Sequence, residues 1–247
     1  MKKNLITFAL AIIPILCFAQ VSENRTVASF SKIDVESGIS LTFTESKTTS
    51  IKVQADDNEK LGRILTDVVD GVLKIHFKSG KNSRNKTANV EVSAANVNGF
   101  EAGSGATIKL TNEVTASNAS IHLDSGSRFT GSIKSSGNTT LDADSGSAFK
   151  GKITTTILKI DLDSGVSVHL SGSANTTTVN IDSGSSLHAE DFTTLNAIID
   201  ADSASSTDIT VTESLKAKAS SAAVIRYYGD PKKVDVTKDS AAVITKK

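Results

Sequence analysis

A pair of small residues recurs along the second half of the chain, and its spacing restricts the fold more than any other feature. Each pair is a Ser followed by Gly or Ala, and successive pairs are 18 to 21 residues apart. The eight turn pairs are Ser104-Gly105, Ser125-Gly126, Ser145-Gly146, Ser164-Gly165, Ser183-Gly184, Ser203-Ala204, Ser221-Ala222 and Ser240-Ala241. A nearly fixed period of this length indicates a chain built from stacked repeats.

Apolar residues keep a constant distance from each turn pair. Four residues before the Ser stand Phe100, Ile121, Leu141, Ile160, Val179, Ile199, Ala217 and Val236. Four residues after it stand Ile108, Phe129, Phe149, Val168, Leu187, Thr207, Ile225 and Ile244. The position two before the Ser is also apolar until Lys238 interrupts it. This alternation predicts strands with one buried face, and its repetition predicts that successive strands stack in columns.

These columns predict a single, right-handed parallel β-helix. One coil cannot bury its own inner face, but a stack of parallel strands can. Leucine-rich repeats share the period, yet their leucine-asparagine consensus is missing, and no long helical pattern follows residue 100. The right hand is that of nearly all parallel crossovers. We therefore expect an all-β protein with coils of 18–21 residues. Because Ala replaces Gly in the last pairs, we attribute the small residue to a crowded corner rather than to a left-handed backbone.

The region 20–99 is predicted to hold one coil and a cap that shields one end of the stack. Ser37-Gly38 and the apolar residues around it repeat the coil pattern once. A strand at Ile51–Ala55 follows, and Asp56, Asp57 and Asn58 are candidates for the N-cap of a short helix. The helix is expected at 59–69, with Leu61, Ile64, Leu65 and Val68 on one face. A strand at Val72–Phe77 and a basic loop at 79–87 complete the cap.

Residues 1–19 have the pattern of a signal peptide. Lys2 and Lys3 precede an apolar run from Leu5 to Phe18, and cleavage after Ala19 leaves Gln20 as the first residue. The run is shorter than the roughly 20 residues that span a bilayer, and no later segment is apolar enough to do so. We therefore expect an exported protein in the periplasm, on the outer surface or secreted, with its regular coils at 100–247.

The charge balance argues against one class of partner. The sequence has 27 Lys and Arg residues against 27 Asp and Glu residues. Nucleic-acid binding depends on clustered positive charge, so we do not expect nucleic acid as a partner.

Aspartates form the strongest chemical signal, because they repeat on the solvent side of the predicted strands. One or three residues before the Ser stand Asp124, Asp142, Asp144, Asp161, Asp163, Asp182, Asp200 and Asp202. Like charges one strand spacing apart repel each other. Calcium could bridge the carboxylates and relieve this repulsion. Alternatively, each Asp accepts backbone N–H bonds at the following turn. We favour the second interpretation and keep weak calcium binding as the alternative; no other cofactor is expected.

Two histidines share one position in adjacent coils. His169 and His188 both stand five residues after the Ser, so they could meet as a two-histidine metal site. No third ligand is evident from the sequence, and a solvated pair is the favoured interpretation.

An enzyme is not expected. A polysaccharide-cleaving β-helix needs carboxylates placed in a cleft, whereas the acids here follow the repeat as a structural row does. Only 4% of the residues are aromatic, which leaves little for stacking on sugars. We predict no catalytic residues.

One stretch resembles a known family of exported proteins. The segment from Phe30 to Leu41 is similar to the start of the putative auto-transporter adhesin, head GIN domain family, with Gly38-Ile39-Ser40 at the place of the Gly-Ile-Asn signature. Asp70 to Ile75 and the Ser-Gly-Ser coils are similar as well. The resemblance implies a β-helix fold and adhesion. We therefore expect a binding or scaffold module for an envelope polymer, a glycan or a protein. The alternatives are a purely structural envelope protein with weak calcium binding and, least favoured, a polysaccharide-acting enzyme.

Overall fold

The computed structural model describes residues 20–78 and 88–247. The predicted signal peptide at 1–19, with Cys17, and the predicted basic loop at 79–87 lie outside the described residues. The described chain is nearly all strand and forms a β-solenoid of about 7 turns with one short helix. The predicted parallel β-helix is therefore confirmed.

The first part of the chain contains seven strands and the helix. They are β1 Val21–Arg25, β2 Lys32–Val35, β3 Ser40–Glu45, β4 Ser50–Ala55, α1 Asn58–Leu61, β5 Ile64–Val69, β6 Val72–Phe77 and β7 Asn89–Ala94. The coils that follow contain β8 Gly99–Ala102, β9 Thr107–Leu110, β10 Val114–Ala116, β11 Ala119–Leu123, β12 Arg128–Ser135, β13 Asn138–Ala143 and β14 Ala148–Leu162. The last strands are β15 Ser167–Ile181, β16 Ser186–Ala201, β17 Ser206–Ala219, β18 Val224–Tyr228, β19 Lys233–Lys238 and β20 Val243–Lys246.

The predicted apolar columns are in register from one coil to the next. Phe129 pairs with Phe149, and Phe149 pairs with Val168 in the following coil. The rings of Phe129 and Phe149 are stacked, with centroids 5.4 Å apart. Further along the same strand, Ile160 of β14 pairs with Val179 of β15, and both side chains are buried. Parallel pairing at constant register therefore builds one continuous apolar interior.

Every turn pair except the last, Ser240-Ala241, forms a left-handed turn, which corrects the crowded-corner interpretation. In the turn at Asp124, both Ser125 (φ 51°) and Gly126 (φ 72°) have positive φ, and the N–H of Ser127 donates to the carbonyl of Asp124 over 3.1 Å. Two consecutive residues with positive φ are the mark of a type I′ turn. A Cβ added to Gly126 would meet nothing within 4 Å, so the corner is open. Gly is used for its backbone, and Ala204 and Ala222 adopt the same conformation at φ 61° and 66°.

The turns are also hydrogen-bonded to one another along the stack. The N–H of Gly126 donates to the carbonyl of Ser145, and the N–H of Gly146 donates to the carbonyl of Ser164, both over 3.0 Å. The same contact recurs at later turns, where Ala204 donates to Ser221 over 2.9 Å. The corner is therefore a hydrogen-bonded column in its own right, which explains why the spacing of the turn pairs is so regular.

The N-terminal insertion lies beneath the first coil. Strand β2 pairs in parallel with both β6 and β8, and β3 pairs in parallel with both β7 and β9. The rung formed by β6 and β7 thus precedes the first coil in space although it follows it in sequence. Antiparallel strands continue from this rung, since β4 pairs with β7, β1 with β4, and β5 with β6. The stack is closed at this end by strands that run against the direction of the coils.

The predicted helix at 59–69 is wrong over most of its length. The helix is confined to Asn58–Leu61, with Asp57 as the N-cap residue that accepts a bond from the N–H of Lys60. Ile64–Val69 is instead a strand that forms a hairpin with Val72–Phe77. Asp70 (φ 51°) and Gly71 (φ 75°) form its two-residue turn. An Asp-Gly pair between apolar residues favours this hairpin geometry, because it accommodates two positive φ angles.

The final rung at the C-terminal end of the stack, unlike the first coil, has no strand from residues 20–78 or 88–247 packed on its outer side. In the described chain, β19 pairs only with β17 and β20 only with β18. Val234 and Val236 of β19 face inward by register, yet both are exposed. The final coil therefore presents part of its inner face to solvent. None of the helices in the described residues has the length and apolar character needed to cross a bilayer.

Candidate functional site

The predicted aspartates divide into two groups with different surroundings. Those directly before the turn pair are Asp124, Asp144, Asp163, Asp182 and Asp202, and each accepts a hydrogen bond from the N–H of the following Ser over 2.5 to 2.7 Å. These carboxylates fix the left-handed Ser in place, because they satisfy an N–H that the turn would otherwise leave to solvent. The hydrogen-bonded arrangement favoured from the sequence is the one present in the structure.

The pKa values of Asp163 and Asp202 in this first group are lowered by hydrogen bonds. The hydroxyl of Ser183 in the next coil and the N–H of Ser164 hold the pKa of Asp163 below its ordinary value. The hydroxyl of Ser221 and the N–H of Ser203 do the same for the pKa of Asp202. Hydrogen bonds to the charged form lower a carboxyl pKa. The folded protein therefore favours the ionised state at these turns.

The second group, three residues before the turn pair, lies on the flat outer surface of the strands. Asp142 is paired with Asp161 in the next coil. Partial burial and the charge of Asp161 raise the pKa of Asp142 above its ordinary value. Asp200 forms an ion pair with Lys218 in the coil that follows, with Nζ and Oδ2 3.5 Å apart. Burial and repulsion from the neighbouring coil therefore raise the pKa of Asp142, whereas hydrogen bonds lower the pKa values of the turn aspartates Asp163 and Asp202. Calcium binding on either group stays a prediction.

The second group belongs to a longer row, which we call the outer polar row. Residues at its position pair coil by coil across eight successive rungs: Asp34, Glu101, His122, Asp142, Asp161, Asn180, Asp200 and Lys218. The residues on either side of each member along the strand point inward and are buried, as Ile160 and Leu162 are around Asp161. The row therefore stands on a rigid apolar base.

A different row contains the two histidines and does bring them together. Lys150, His169, His188, Asp208 and Arg226 pair coil by coil in that order. The rings of His169 and His188 have centroids 4.8 Å apart and are tilted by 32°. His188 Nδ1 lies 3.9 Å from Oδ2 of Asp208. The two histidines, which the repeat placed at one position, therefore lie side by side, and the register adds a carboxylate that the sequence did not reveal.

Asp208 is buried although it lies on the outer side of its strand. It is 4% exposed, and Nη1 of Arg226 donates to Oδ1 over 3.1 Å and to Oδ2 over 2.9 Å. A buried carboxylate without a partner is costly, so the Arg226 guanidinium stabilises its charged form. The arrangement holds the Asp208 carboxylate in one orientation beside His188.

A bulge in β16 places further polar groups next to this pair. Ala189 pairs with Ile209 and Thr193 pairs with Thr210, so three residues of β16 between them have no partner position in β17. Phe192 turns into the core and is completely buried, while Glu190 and Asp191 remain exposed. The Thr210 hydroxyl donates to the carbonyl of Glu190 over 2.7 Å and holds the bulge against β17. Bulges of this kind re-aim side chains beside functional sites.

The bulge borders a surface groove of about 310 Å³. Its lining includes Lys150, His169, Ser171, His188, Glu190 and Asp191. One ligand atom from each of His188, Glu190 and Asp208 lies within 4.8 Å of the others, which is the one such convergence of three metal-binding groups among residues 20–78 and 88–247. Imidazole and carboxylate are ligands that divalent transition metals accept.

Sequence reasoning located half of this cluster. The repeat placed His169 and His188 in register, but Glu190 and Asp208 were missed. A signal for the bulge was present, because the step from Ser183 to Ser203 is 20 residues whereas the steps beside it are 19 and 18. A longer repeat has to hold its additional residues outside the regular strand pairing, and here they form the bulge that begins at Glu190.

Comparison with known proteins gives a family and a fold. The family model described as "Putative auto-transporter adhesin, head GIN domain" matches residues 29–231. No curated protein matches the chain. A putative adhesin from Parabacteroides merdae ATCC 43184 is 17% identical and superposes with a TM-score of 0.85, covering 92% of this chain and 96% of that one.

Two further solved structures have the same fold. A putative adhesin from Parabacteroides distasonis ATCC 8503 is 18% identical with a TM-score of 0.81, over 92% of this chain and 97% of that one. A putative lipid binding protein from the same strain is 16% identical with a TM-score of 0.68, over 92% and 96% of the two chains. At these identities the likeness concerns architecture. Since the family model covers most of the sequence, the chain belongs to the putative auto-transporter adhesin, head GIN domain family.

Proposed function

We propose that this protein is an exported, non-catalytic binding module that holds an extended ligand of the cell envelope along its outer polar row. The observation that carries the proposal is the row itself, in which eight successive rungs present a side chain at one outward position in unbroken register. Parallel strands repeat about every 4.8 Å, so eight rungs span roughly 34 Å. A surface with a regular repeat suits a partner with its own repeat, such as a glycan or another envelope polymer.

The chemistry of the row supports recognition rather than catalysis. Its members are five acids, one amide, one imidazole and one ammonium group, which offer hydrogen bonds and charges at fixed intervals. The groove of about 310 Å³ borders the histidine row, and among the described residues only Asp34 of the outer polar row lines a groove, a smaller one of about 130 Å³. General acid and base catalysis needs carboxylates placed around a bond in a cleft. Family membership agrees with this role, since the family is described as an adhesin head.

Export follows from the pattern of the first residues. Lys2, Lys3 and the apolar run from Leu5 to Phe18 favour secretion, with cleavage after Ala19. Mass spectrometry of the protein recovered from the cell envelope should give Gln20 as the first residue, with or without cyclisation. A lipid-modified Cys17 at the N-terminus would contradict this cleavage site.

Binding is tested with the purified mature protein against three kinds of probe: a glycan array, purified envelope polysaccharide, and lipid vesicles. Vesicles are included because one structural neighbour is described as a lipid binding protein. The variant Asn180→Arg puts a long cation in the middle of the row, between Asp161 and Asp200. Thr130→Arg is the matched control, since Thr130 is also exposed but lies in the row that contains Lys150.

We expect a polysaccharide or glycan probe to bind the wild-type protein, and Asn180→Arg to weaken that binding at least tenfold while Thr130→Arg leaves it unchanged. Equal binding by both variants would show that the outer polar row is not the contact surface. Binding to vesicles but to no glycan or polysaccharide would contradict the proposed polymer ligand and indicate a lipid. A steady release of new chain ends from the polysaccharide would show that the protein is an enzyme.

A further inference from the structure

We infer that His188, Glu190 and Asp208 form a binding site for one divalent transition-metal ion, with zinc as the representative ion. The site is separate from the outer polar row, because it lies in the row of Lys150, His169, His188, Asp208 and Arg226 and at the bulge of β16. The inference therefore does not depend on the proposed binding function.

The three ligand atoms are already close to the separation that a metal requires. Two ligands about 2.1 Å from a tetrahedral zinc ion lie about 3.4 Å from each other. His188 Nδ1 and Asp208 Oδ2 are 3.9 Å apart, and the three ligand atoms all lie within 4.8 Å of one another. Shifts of about an ångström in the half-exposed His188 and the exposed Glu190 bring the set to coordination distance around the fixed Asp208 carboxylate. Glu190 makes such a shift readily, because it is exposed at the bulge while its carbonyl is fixed by Thr210.

The surroundings of Asp208 are those of a supported metal ligand. Arg226 donates to both carboxylate oxygens, and each oxygen has a second lone pair available for a cation. Carboxylates that bind metals are commonly hydrogen-bonded in this way by residues behind them. The two carboxylates of Glu190 and Asp208 also outnumber the one guanidinium of Arg226 beside the His188 imidazole. The local charge thus favours a divalent cation in spite of Arg226.

The open side of the cluster gives the ion a free position. The groove of about 310 Å³ begins at His188 and Glu190 and extends toward His169 and Lys150. Sites with three protein ligands keep a fourth position for water or for a group of a ligand. The ring of His169, tilted by 32° against that of His188 with centroids 4.8 Å apart, restricts the rotation of the ring whose Nδ1 faces Asp208. A bound ion would join the bulge of β16 to β17, so it should also stabilise the fold.

The experiment titrates zinc alone into the metal-free mature protein and measures binding by calorimetry and by competition with a chromophoric chelator. Glu190→Gln and His188→Gln each remove one ligand. Asp191→Asn is the matched control, because Asp191 is the neighbouring exposed acid of the same bulge and lines the same groove but is outside the convergent set. His122→Gln controls for an exposed histidine between acids, since His122 lies between Glu101 and Asp142 in the outer polar row.

We expect the wild-type protein to bind one zinc ion per chain and to melt at a higher temperature when it is bound. Glu190→Gln and His188→Gln should each weaken the affinity at least about tenfold, whereas Asp191→Asn and His122→Gln should change it less than about threefold. Absence of zinc binding by the wild-type protein, or an equal loss in Asp191→Asn and Glu190→Gln, would overturn the inference.

A second measurement keeps the test decisive if a variant does not fold. Cobalt(II) replaces zinc in the wild-type protein and reports its ligand geometry through its visible absorption. Intense bands of a four-coordinate ion, removed by added zinc, support the site. The weak bands of a hexahydrated ion would contradict it.

Discussion

Val179 and Val236 occupy the same inward-facing column of the β-helix, but only Val179 is enclosed. The column runs from Val179 through Ile199 and Ala217 to Val236, one residue per coil. Val179 is 0% exposed and Val236 is 45% exposed. The difference arises because a coil packs on both sides of Val179, whereas Val236 belongs to the final rung.

Val179→Asp should therefore unfold the protein, because it buries a charge without a partner at a cost of several kcal/mol. Val236→Asp makes the same change in the same column and should lower the melting temperature only slightly, since its carboxylate stays in water. Thermal melts followed by circular dichroism check the pair. Similar melting temperatures for the two variants would mean that the final rung is covered in solution.

Ala204→Gly should stabilise the protein by about 1 kcal/mol. Ala204 has a φ of 61°, a conformation that costs residues with a Cβ about that amount and costs Gly almost nothing. The control is Ala241→Gly, because Ala241 holds the equivalent place in the last turn pair but adopts an ordinary backbone conformation. Urea denaturation should show a gain for Ala204→Gly and none for Ala241→Gly.

Thr207→Val should raise the melting temperature. Thr207 stands in an apolar column between Leu187 and Ile225, is completely buried, and its hydroxyl has no hydrogen-bond partner. A buried unsatisfied hydroxyl costs about 1–3 kcal/mol, and Val has nearly the same shape. Thr177→Val is the opposite case, since the equally buried Thr177 hydroxyl donates to Thr194 over 3.0 Å. That variant should be destabilised, and a gain in both would contradict the hydrogen-bond assignment.

The two groups of aspartates should respond to pH in opposite directions. The folded pKa values of Asp163 and Asp202 are lowered, so their contribution to stability is present above the unfolded pKa of about 3.9 and is lost as the pH falls through the folded values. Asp142 has a raised folded pKa, so its ionised form destabilises the protein at neutral pH, and this cost disappears at low pH.

Asp142→Asn should therefore raise the melting temperature at pH 7, and the gain should shrink as the pH approaches 4. Asp163→Asn should lower the melting temperature at pH 7, and that loss should also shrink toward low pH. Melting curves at both pH values test the pair. A gain from Asp163→Asn at pH 7 would mean that repulsion between turn aspartates outweighs their hydrogen bonds.

The coils could be predicted from the sequence because each one repeats the same local rule. Phe129, Phe149 and Val168 hold one offset from the turn pair, and that offset alone placed them in neighbouring rungs. The corner was misread because Ala204 and Ala222 stand where Gly is expected, and strain at these positions is tolerated only once the hydrogen-bonded turn column exists. Such tolerance depends on neighbouring coils and is not visible in one repeat.

The cap and the histidine cluster could be predicted only in part, because neither repeats. The spacing of Leu61, Ile64, Leu65 and Val68 suits a helix. However, the two-residue turn at Asp70-Gly71 brings Ile64–Val69 next to Val72–Phe77, and the segment pairs with it as a strand. His188 and Asp208 are 20 residues apart, and their contact follows from register. Glu190 joins them only through a bulge, whose position along the coil the period does not define.

The first coil has strands bonded to both of its edges, by β6 and β7 on one side and by β8 and β9 on the other. The N-terminal side of the first coil is therefore already occupied, so a change in the number of coils has to fall among the repeats that follow. Duplicating or deleting one whole repeat in this lineage changes the reach of the protein by about 4.8 Å and requires no new junction. The length of the molecule is thus set by the number of its coils, while the N-terminal base of the structure stays the same.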